Sequence, residues 1–475
     1  MKTTKENNEK LSWNLLYYII LHGTLGNIGN ILSNISITYE IDIKNFIDHK
    51  NNTINKDDVD NFEISSFALT SIFGQLFICF IFHKLVINFG SSFSWIFIRH
   101  YLVIAACLLM ILAKIEGLSI ILLFSQFLFG ANSFFILPQS VFIGECGSFN
   151  KRASVILNIN TANMFISVII TSLTPKEILI NEENWHYIYV IGIASSTCYL
   201  LLLNDIKETP KYLFFINPNF QKIYESLIFY RKENIDIEKE IDNYENEVSM
   251  YKKRLSMTIS EILNLKNMRK RIFLILLGEI SQKISLYIIL SPYIEKILNY
   301  LNLPLFYTSS IIIGLQLGGL AASMLSSVIS EQFSRKKLFI TFIILSGISF
   351  KIMFLGILFQ NVHESNLFSQ IVCILALYLS TVISNIGHNC ITPILINDII
   401  PIHGKVAAIQ ILSIFSNMIQ VYLIITFVPL YNLLGSGIFL SYNFFITISM
   451  FLLVKYLPDT SDKMVYQIFN DYEEL

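Results

Sequence analysis

Long runs of apolar residues recur along almost the whole chain, and many of them are long enough to cross a lipid bilayer. The stretches 118–143 and 434–454 are examples. A membrane-spanning helix needs about 20 mainly apolar residues, and in lipid such a run is helical because every backbone group must be satisfied internally. With 53% hydrophobic and 15% charged residues, the chain also has too little polar surface for one soluble domain. The sequence therefore predicts an all-α integral membrane protein.

The apolar runs predict twelve transmembrane helices, and a charged segment at 205–270 divides them six and six. We predict an N-terminal segment (1–13), a six-helix bundle (14–204), a central linker (205–270), a second six-helix bundle (271–456) and a tail (457–475). The predicted spans are roughly 14–37, 64–88, 95–113, 117–143, 153–173, 184–204, 271–291, 304–329, 337–359, 366–390, 405–428 and 434–456.

Lysine and arginine set the predicted orientation. With the N-terminus in the cytoplasm, most basic residues fall inside, including those at 335–337 and those of the linker. This distribution follows the positive-inside rule, so both termini are predicted to be cytoplasmic. The loop 38–63 then faces outward, and its Asn51-Asn52-Thr53 sequence predicts N-glycosylation at Asn51.

Composition and spacing exclude several classes of protein. The net charge is −1 and no basic tract is present, which argues against a nucleic-acid partner. Six scattered cysteines lack CxxC spacing, so neither a metal site nor a disulfide framework is predicted. No phosphate-binding loop and no catalytic constellation occur, so we expect neither an ATP-driven pump nor an enzyme, and no cofactor.

Two loops carry the same charge pattern. "ECGSFNKR" contains Glu145 and Arg152, and "DIIPIHGK" contains Asp398 and Lys405, in each case an acid and a base with six residues between them. The loops follow the fourth and tenth predicted spans, which are equivalent places in a duplicated chain. Internal repeats of this kind build many transporters, whose solute binds between the halves. The charges are predicted to gate the site by pairing and releasing; the alternative is ordinary charge at a bilayer boundary.

These loops, with "ETPKYL" at 208–213 and the "LPDT" tail at 457–460, resemble motifs of the major facilitator superfamily. Within it the chain resembles the organic cation, organic anion and carnitine transporter family, while sugar porters share versions of the same motifs. The resemblance implies twelve helices in two pseudo-symmetric six-helix bundles, the major facilitator fold. It further implies transport of a small organic ion or zwitterion by alternating access, at the plasma membrane.

Three departures from the family pattern are informative. The charged loop of the family survives in the second half, where it assigns Glu331, Arg335 and Lys336 to gating, whereas only Gly90 remains in the first half. Asn417 stands where cation transporters of the family have an aspartate and anion transporters an arginine. "GEISQKIS" in the seventh span matches the glutamine-rich motif of sugar porters poorly. A sugar porter and a non-transporting protein of the same fold therefore remain alternatives.

Polar residues inside spans are costly in lipid and are the candidates for solute contact. Glu279 and Lys283 lie four residues apart, on one helical face, where they can neutralise one another. The alternatives are structural pairing, packing and interhelical hydrogen bonds. The expected partners are a small-molecule solute, with or without a coupling ion, and the lipid bilayer. The predicted solute-binding residues are Asn27, Asn30, Asn34, Gln139, Glu279, Gln282, Lys283, Tyr287 and Asn417.

Overall fold

The structure is a computed structural model that describes residues 11–51, 65–176, 178–203, 206–216, 219–231, 237–249, 256–362, 367–460 and 465. In this part of the chain every regular element is helical, with no strand. The prediction of an all-α membrane protein is confirmed, while the division into domains stays a prediction.

Helices lie at all twelve predicted places, and we number them as spans 1 to 12. Those of the first six spans are Trp13–Gly23 and Ile28–Thr38 (span 1), Ser66–Phe89 (span 2), Ser91–Glu116 (span 3), Ser119–Ser133 and Ile136–Cys146 (span 4), Arg152–Thr171 (span 5) and Tyr187–Leu202 (span 6). Those of the second six are Lys266–Lys283, Leu286–Leu290 and Ile294–Tyr300 (span 7), Leu305–Gln332 (span 8), Arg335–Val362 (span 9), Leu367–Ile386 and Ile391–Ile399 (span 10), Ile402–Leu434 (span 11) and Gly437–Tyr456 (span 12).

Length and hydropathy support these assignments. Within the described residues, ten helices are long and apolar enough to cross a membrane. Span 7 passes the same test only as a bent pair, with 53° between its two parts. Span 6, Tyr187–Leu202, has 16 residues and is the shorter apolar helix.

Four spans at equivalent places of the two halves, namely 1, 4, 7 and 10, are interrupted. Pro138 lacks the N–H that would bond to the carbonyl of Phe134, and span 4 breaks between Ser133 and Ile136. Pro393 likewise lacks the N–H that would bond to the carbonyl of Asn389, and span 10 breaks between Ile386 and Ile391. Pro138 therefore accounts for the break in span 4, which lies one turn before the proline. The sequence analysis did not predict the bend in span 7, where the first helix ends at Lys283.

The segment after span 1 also differs from the prediction of a loop over 38–63. A helix, Glu40–Asn51, follows span 1 because the Glu40 carboxylate accepts hydrogen bonds from the backbone N–H groups of Ser66 and Phe67, at 3.1 and 3.2 Å. A negative charge at these free N–H groups stabilises the start of span 2. The side chain of Asn51 and residues 52–64 lie outside the described part, so its glycosylation stays a prediction.

The central linker folds into short helices beneath both halves. Its helices are Pro210–Ile216, Phe220–Arg231, Ile237–Ser249 and Ile259–Asn264. On the first half, the Ser12 hydroxyl donates to the carbonyl of Tyr230 at 2.7 Å. On the second half, the backbone N–H of Met257 donates to the carbonyl of His403 at 2.8 Å. We call this end of the bundle the linker face and the opposite end the far face.

Glycines allow spans 2 and 4 to pack backbone against backbone. A Cβ added at Gly130 would lie 1.8 Å from the carbonyl oxygen of Ser71, closer than any real contact. We expect Gly130→Ala to lower the free energy of unfolding by about 1–3 kcal/mol, because overpacking forces the helices apart. Thermal melting of the detergent-purified protein measures it. The control is Gly314→Ala, where a Cβ meets nothing within 4 Å; equal melting of the two variants would contradict the prediction.

A candidate solute site between the two halves

A cavity of about 450 Å³ lies between the two halves. Spans 1, 2, 4 and 5 line one side of it, and spans 7, 8, 10 and 11 line the other. Its lining reaches Tyr39, Thr174 and Pro292, which lie near the far-face ends of their spans. Binding pockets for small molecules have volumes of about 300–1,000 Å³, so the cavity has room for a small solute.

All but one of the predicted solute-binding residues line this cavity. The interruptions of spans 1 and 7 lie at the cavity wall, since Asn27 ends the turn in span 1 and Lys283 ends the first helix of span 7. The residues concerned are Asn27, Asn30, Asn34, Glu279, Gln282, Lys283, Tyr287 and Asn417.

Three cavity-lining glutamines were missed by the sequence analysis: Gln75, Gln316 and Gln420. Gln316 donates to the Tyr287 hydroxyl at 3.3 Å and accepts from Ser167 at 3.2 Å, so it joins the two halves. The sequence does contain a signal for these three glutamines, because each is an amide inside an apolar run.

Glu279 does not pair with Lys283, contrary to the prediction from their spacing. Neither side chain forms an ion pair with the other or with any described residue. Glu279 instead accepts hydrogen bonds from the hydroxyls of Ser416, at 2.7 Å, and Thr392. The reason is that spans 10 and 11 bring hydroxyl groups to both carboxylate oxygens, while the helix ends at Lys283.

Gln139 is the exception among the predicted residues, since it lies outside the cavity lining. Its side-chain carbonyl accepts from the guanidinium of Arg99 in span 3, and its amide donates to the carbonyl of His22 at 3.0 Å. Arg99 is 1% exposed and also donates to Asn132, at 2.9 Å, and to Asn27, at 2.6 Å. The sequence analysis missed Arg99, although a cation in a span is a signal by itself.

An ion pair between the halves closes the cavity at the linker face. The Lys405 ammonium pairs with Glu145 and donates to the Asn397 side chain at 2.8 Å. Asn397 in turn donates to the carbonyl of Val141 at 3.1 Å. Both charges are almost completely buried, so water screens this contact little.

In neither loop does the acid form an ion pair with the base of the same loop, which corrects the simplest form of the prediction. Arg152 lies over the ring of Phe149 at 5.3 Å, and Asp398 pairs with Arg335 while accepting from Thr460 at 3.1 Å. The folding of the chain places the two loops side by side, so the acid of one loop meets the base of the other.

A more exposed contact joins the halves nearby. Glu331 pairs with Lys151 at 2.8 Å and accepts from Ser154 at 2.9 Å. Lys336, which was predicted to act with Glu331, forms no ion pair or hydrogen bond with the residues that the structure describes. The second-half loop thus contributes Glu331 and Arg335 to contacts at the linker face.

The linker adds a further ion pair below this closure. Lys211, in the "ETPKYL" motif, lies 2.6 Å from Glu247, which also accepts from the backbone N–H of Ile402 at 2.9 Å. Burial raises the pKa of Glu247, but Lys211 and Lys405 outweigh that effect and hold it below its usual value. A carboxyl with a lowered pKa stabilises the fold above its unfolded pKa and loses that contribution as the pH falls through the lowered value.

At the far face, Lys176 links the halves. Its ammonium lies 2.9 Å from Asp42 of the first half and 3.1 Å from Glu295 of the second. Burial lowers the pKa of Lys176, but Glu295 and Asp42 outweigh it and raise the pKa above its usual value. The lysine therefore keeps its charge up to alkaline pH. Contacts thus join the halves at both ends of the cavity, and the Glu145–Lys405 pair at the linker face is more buried than the contacts of Lys176.

Residues 27–472 match the family described as "Sugar (and other) transporter". The chain belongs to this family. A comparison with curated proteins finds no match. The chain is a transporter of the major facilitator superfamily rather than an enzyme, as predicted.

Solved structures share the fold of this transporter at low sequence identity. It resembles the proton:xylose symporter XylE bound to 6-bromo-6-deoxy-D-glucose, with 12% identity, a TM-score of 0.75, and coverage of 96% of this chain and 99% of that chain. The inward-open XylE from E. coli gives 14% identity, a TM-score of 0.64, and coverage of 95% and 99%. The E. coli fucose:proton symporter FucP (N162A) gives 10% identity, a TM-score of 0.56, and coverage of 94% and 98%.

The comparisons therefore confirm the superfamily and the fold of this transporter. They do not extend to the organic cation, organic anion and carnitine branch, and they agree with the sugar-porter alternative. Within the described residues, no three His, Cys, Asp or Glu side chains form a group that could hold a metal ion.

Proposed function

We propose that the chain carries a small polyhydroxylated solute, such as a sugar, across the membrane by alternating access between its two halves. The observation that carries this proposal is the composition of the cavity wall. Apart from one carboxylate and one ammonium, the polar groups described on it are amides, alcohols and phenols. Such side chains both donate and accept hydrogen bonds, which matches the hydroxyl groups of a sugar.

The family match and the likeness to a xylose symporter support this choice of solute class. The wall is amide-rich on both sides, with Asn30 and Asn34 from the first half and Gln282 and Asn417 from the second. A neutral solute can therefore bind both halves at once, and its release can accompany their separation.

A small organic ion or zwitterion is the second candidate, and one observation favours it. Glu279 and Lys283 both line the cavity and do not pair with each other. A zwitterion could pair with both, which would repay part of the cost of keeping two charges in the membrane. The resemblance to organic cation and carnitine transporters supports the same candidate.

We further propose that the linker face is cytoplasmic, that both termini lie there, and that the membrane is the plasma membrane. The concentration of lysine and arginine in the linker supports this orientation. In this proposal Glu145 and Lys405 form the inner gate, and Arg152, Glu331, Arg335, Lys336 and Asp398 assist it. The linker and the two bundles act as the predicted domains.

Uptake by oocytes that express the chain tests this proposal. The labelled panel holds D-glucose, D-xylose, carnitine, tetraethylammonium and p-aminohippurate. We expect saturable uptake of a sugar, and we expect Asn417→Ala to reduce it about tenfold, the equivalent of one or two lost hydrogen bonds. The matched control is Asn432→Ala, in the same span but exposed and outside the cavity lining.

Each outcome of the panel decides between the candidates. Uptake of carnitine or tetraethylammonium without uptake of sugar would replace the first candidate by the second. Uptake that Asn417→Ala and Asn432→Ala reduce equally would remove the cavity as the solute site. No uptake of any solute, with the protein verified at the cell surface, would favour a non-transporting protein of the same fold.

A further inference from the structure

Glu279 is the only carboxylate among the described residues that line the cavity, and the lining contains no histidine. We propose that Glu279 is a proton-binding site that couples movement of the solute to movement of a proton. This inference rests on the proposed function and adds to it the coupling ion and the residue that carries it.

The Glu279 carboxylate can be reached both from the cavity and by two neighbouring hydroxyl groups. Its side chain lies at the cavity wall but is only 7% exposed. In the ionised form both carboxylate oxygens accept hydrogen bonds from alcohols, Ser416 at 2.7 Å and Thr392. Hydrogen bonds to an ionised group are stronger than neutral ones, so these two alcohols hold the charge in place of an ammonium or guanidinium.

The Thr392 hydroxyl connects the proton to the solute site. It has one hydrogen but two acceptors within reach, the Glu279 carboxylate and the side-chain carbonyl of Gln282 at 3.4 Å. When Glu279 is ionised, the hydroxyl donates to it and leaves the Gln282 carbonyl open. When a proton from the cavity forms the carboxyl O–H, Glu279 donates to Thr392, whose own hydrogen turns to Gln282. The Gln282 carbonyl is then occupied.

Gln282 is where this change reaches the solute. It lines the cavity, and its amide donates to the carbonyl of Asn389 at 3.3 Å, which fixes the side chain. Protonation of Glu279 therefore changes the number of free hydrogen-bond acceptors on the wall. A solute hydroxyl that donates to Gln282 binds differently in the two states, which is the differential binding that coupling requires.

Among the residues that the structure describes, no titratable group makes a hydrogen bond or ion pair with Glu279. On its own helix, Lys283 lies one turn away at the cavity wall, and Arg271 donates to the carbonyl of Ile399 at 2.7 Å. The neighbouring elements contribute only the neutral alcohols Thr392 and Ser416 to its carboxylate. The titratable side chains on the elements that pack against the helix of Glu279 are Glu261, His388, Asp398, His403, Lys405, Tyr422, Tyr431, Tyr442, Lys455 and Tyr456.

The position of Glu279 also links the proton to a conformational change. The helix ends four residues later at Lys283, and the chain bends by 53°. The two alcohols that hold the carboxylate belong to spans 10 and 11. Protonation replaces two charge-assisted hydrogen bonds by neutral ones, so it weakens the link between the bend in span 7 and its neighbours.

The test uses the full chain in proteoliposomes, with labelled D-xylose as the probe. Two quantities are measured: exchange of labelled for unlabelled solute at equal pH, and accumulation driven by pH 6.0 outside and 7.5 inside. One proton per solute predicts accumulation of up to about 30-fold, since each pH unit is a factor of ten. Glu279→Gln is expected to abolish accumulation and to make exchange independent of pH.

Controls separate this role from a structural one. Exchange by Glu279→Gln is expected to fall by no more than about tenfold, the loss of a hydrogen bond to a charged group. Glu182→Gln makes the same chemical change at an exposed residue and is expected to behave as the wild type. Thr392→Val removes the hydroxyl and is expected to exchange solute with little accumulation, which keeps the test decisive if Glu279→Gln does not reconstitute.

Three results would overturn the proposal. Accumulation by Glu279→Gln or Thr392→Val equal to that of the wild type would remove the proton site. Wild-type exchange without gradient-driven accumulation would show a uniporter and leave the proposed function intact. Absence of wild-type exchange for every solute of the panel would remove the proposed function and the proton site with it.

Discussion

Glu145→Gln is expected to destabilise the conformation in which the two halves meet at the linker face. The substitution removes the carboxylate that pairs with the buried Lys405 ammonium, which keeps its hydrogen bond to the Asn397 side chain. Breaking a buried ion pair by removing one member costs about 3–5 kcal/mol. Because this pair forms only when the halves meet at the linker face, the cost falls on that conformation alone.

Labelling of Cys390, which lines the cavity, measures this shift. We expect a membrane-impermeant maleimide to label it in inside-out vesicles much faster in Glu145→Gln than in the wild type, and solute uptake to fall. The double variant Glu145→Lys with Lys405→Glu restores opposite charges and should recover part of the closure.

The control for this prediction is the exposed ion pair that Glu331 and Lys151 form between the halves at the linker face. Glu331 is 48% exposed and Lys151 19% exposed, and exposed ion pairs contribute only about 0–1 kcal/mol. Cys390 should therefore be labelled nearly as slowly in Glu331→Gln as in the wild type. Equal labelling of Glu145→Gln and Glu331→Gln would contradict the role of the buried pair.

Arg99→Met is expected to destabilise the first half. It leaves three buried side-chain carbonyls, those of Asn27, Asn132 and Gln139, without their donor. Each unsatisfied buried acceptor costs about 1–3 kcal/mol. Removing a buried charge offsets part of this cost, so we expect a net loss of about 3 kcal/mol in the free energy of unfolding.

The measurement is thermal melting of the purified protein in detergent, with Arg269→Met as the matched control because Arg269 is exposed. The melting temperature of Arg99→Lys should lie between those of Arg99→Met and Arg269→Met, since an ammonium keeps the charge but cannot reach three acceptors with fixed planar geometry. A melting temperature of Arg99→Met at or above that of the control would mean that desolvation of the guanidinium outweighs its hydrogen bonds.

The sequence was sufficient to predict the twelve spans, because bilayer thickness dictates the length of each apolar run. Pro138 is a sequence signal for the break in span 4, but no such signal exists in span 7, where the chain bends after Lys283. The helix Glu40–Asn51 was also missed. Its composition is polar, and its stability depends on contacts with span 2 that are remote in sequence.

The solute site was predictable in its members but not in its partners. Counting polar residues within spans identified Asn27, Glu279 and Asn417 because such residues are rare in lipid. Spacing could not show that Glu145 meets Lys405, since 260 residues separate them and only the folding of two halves brings them together. Arg99 lies near the start of its predicted span, where a cation resembles an interfacial residue.

The two ends of the cavity respond differently to ionic strength. The Lys176 side chain at the far face is 34% exposed, so dissolved ions reach its contacts with Asp42 and Glu295. Counter-ions screen exposed charges within about 8–10 Å at physiological salt, whereas buried pairs are screened much less. The pair of Lys405 with Glu145 is buried, with 6% and 8% of the side chains exposed. Added salt therefore weakens the far-face contacts of Lys176 more than the buried pair at the linker face, so the surrounding electrolyte itself biases which side of the membrane the cavity faces.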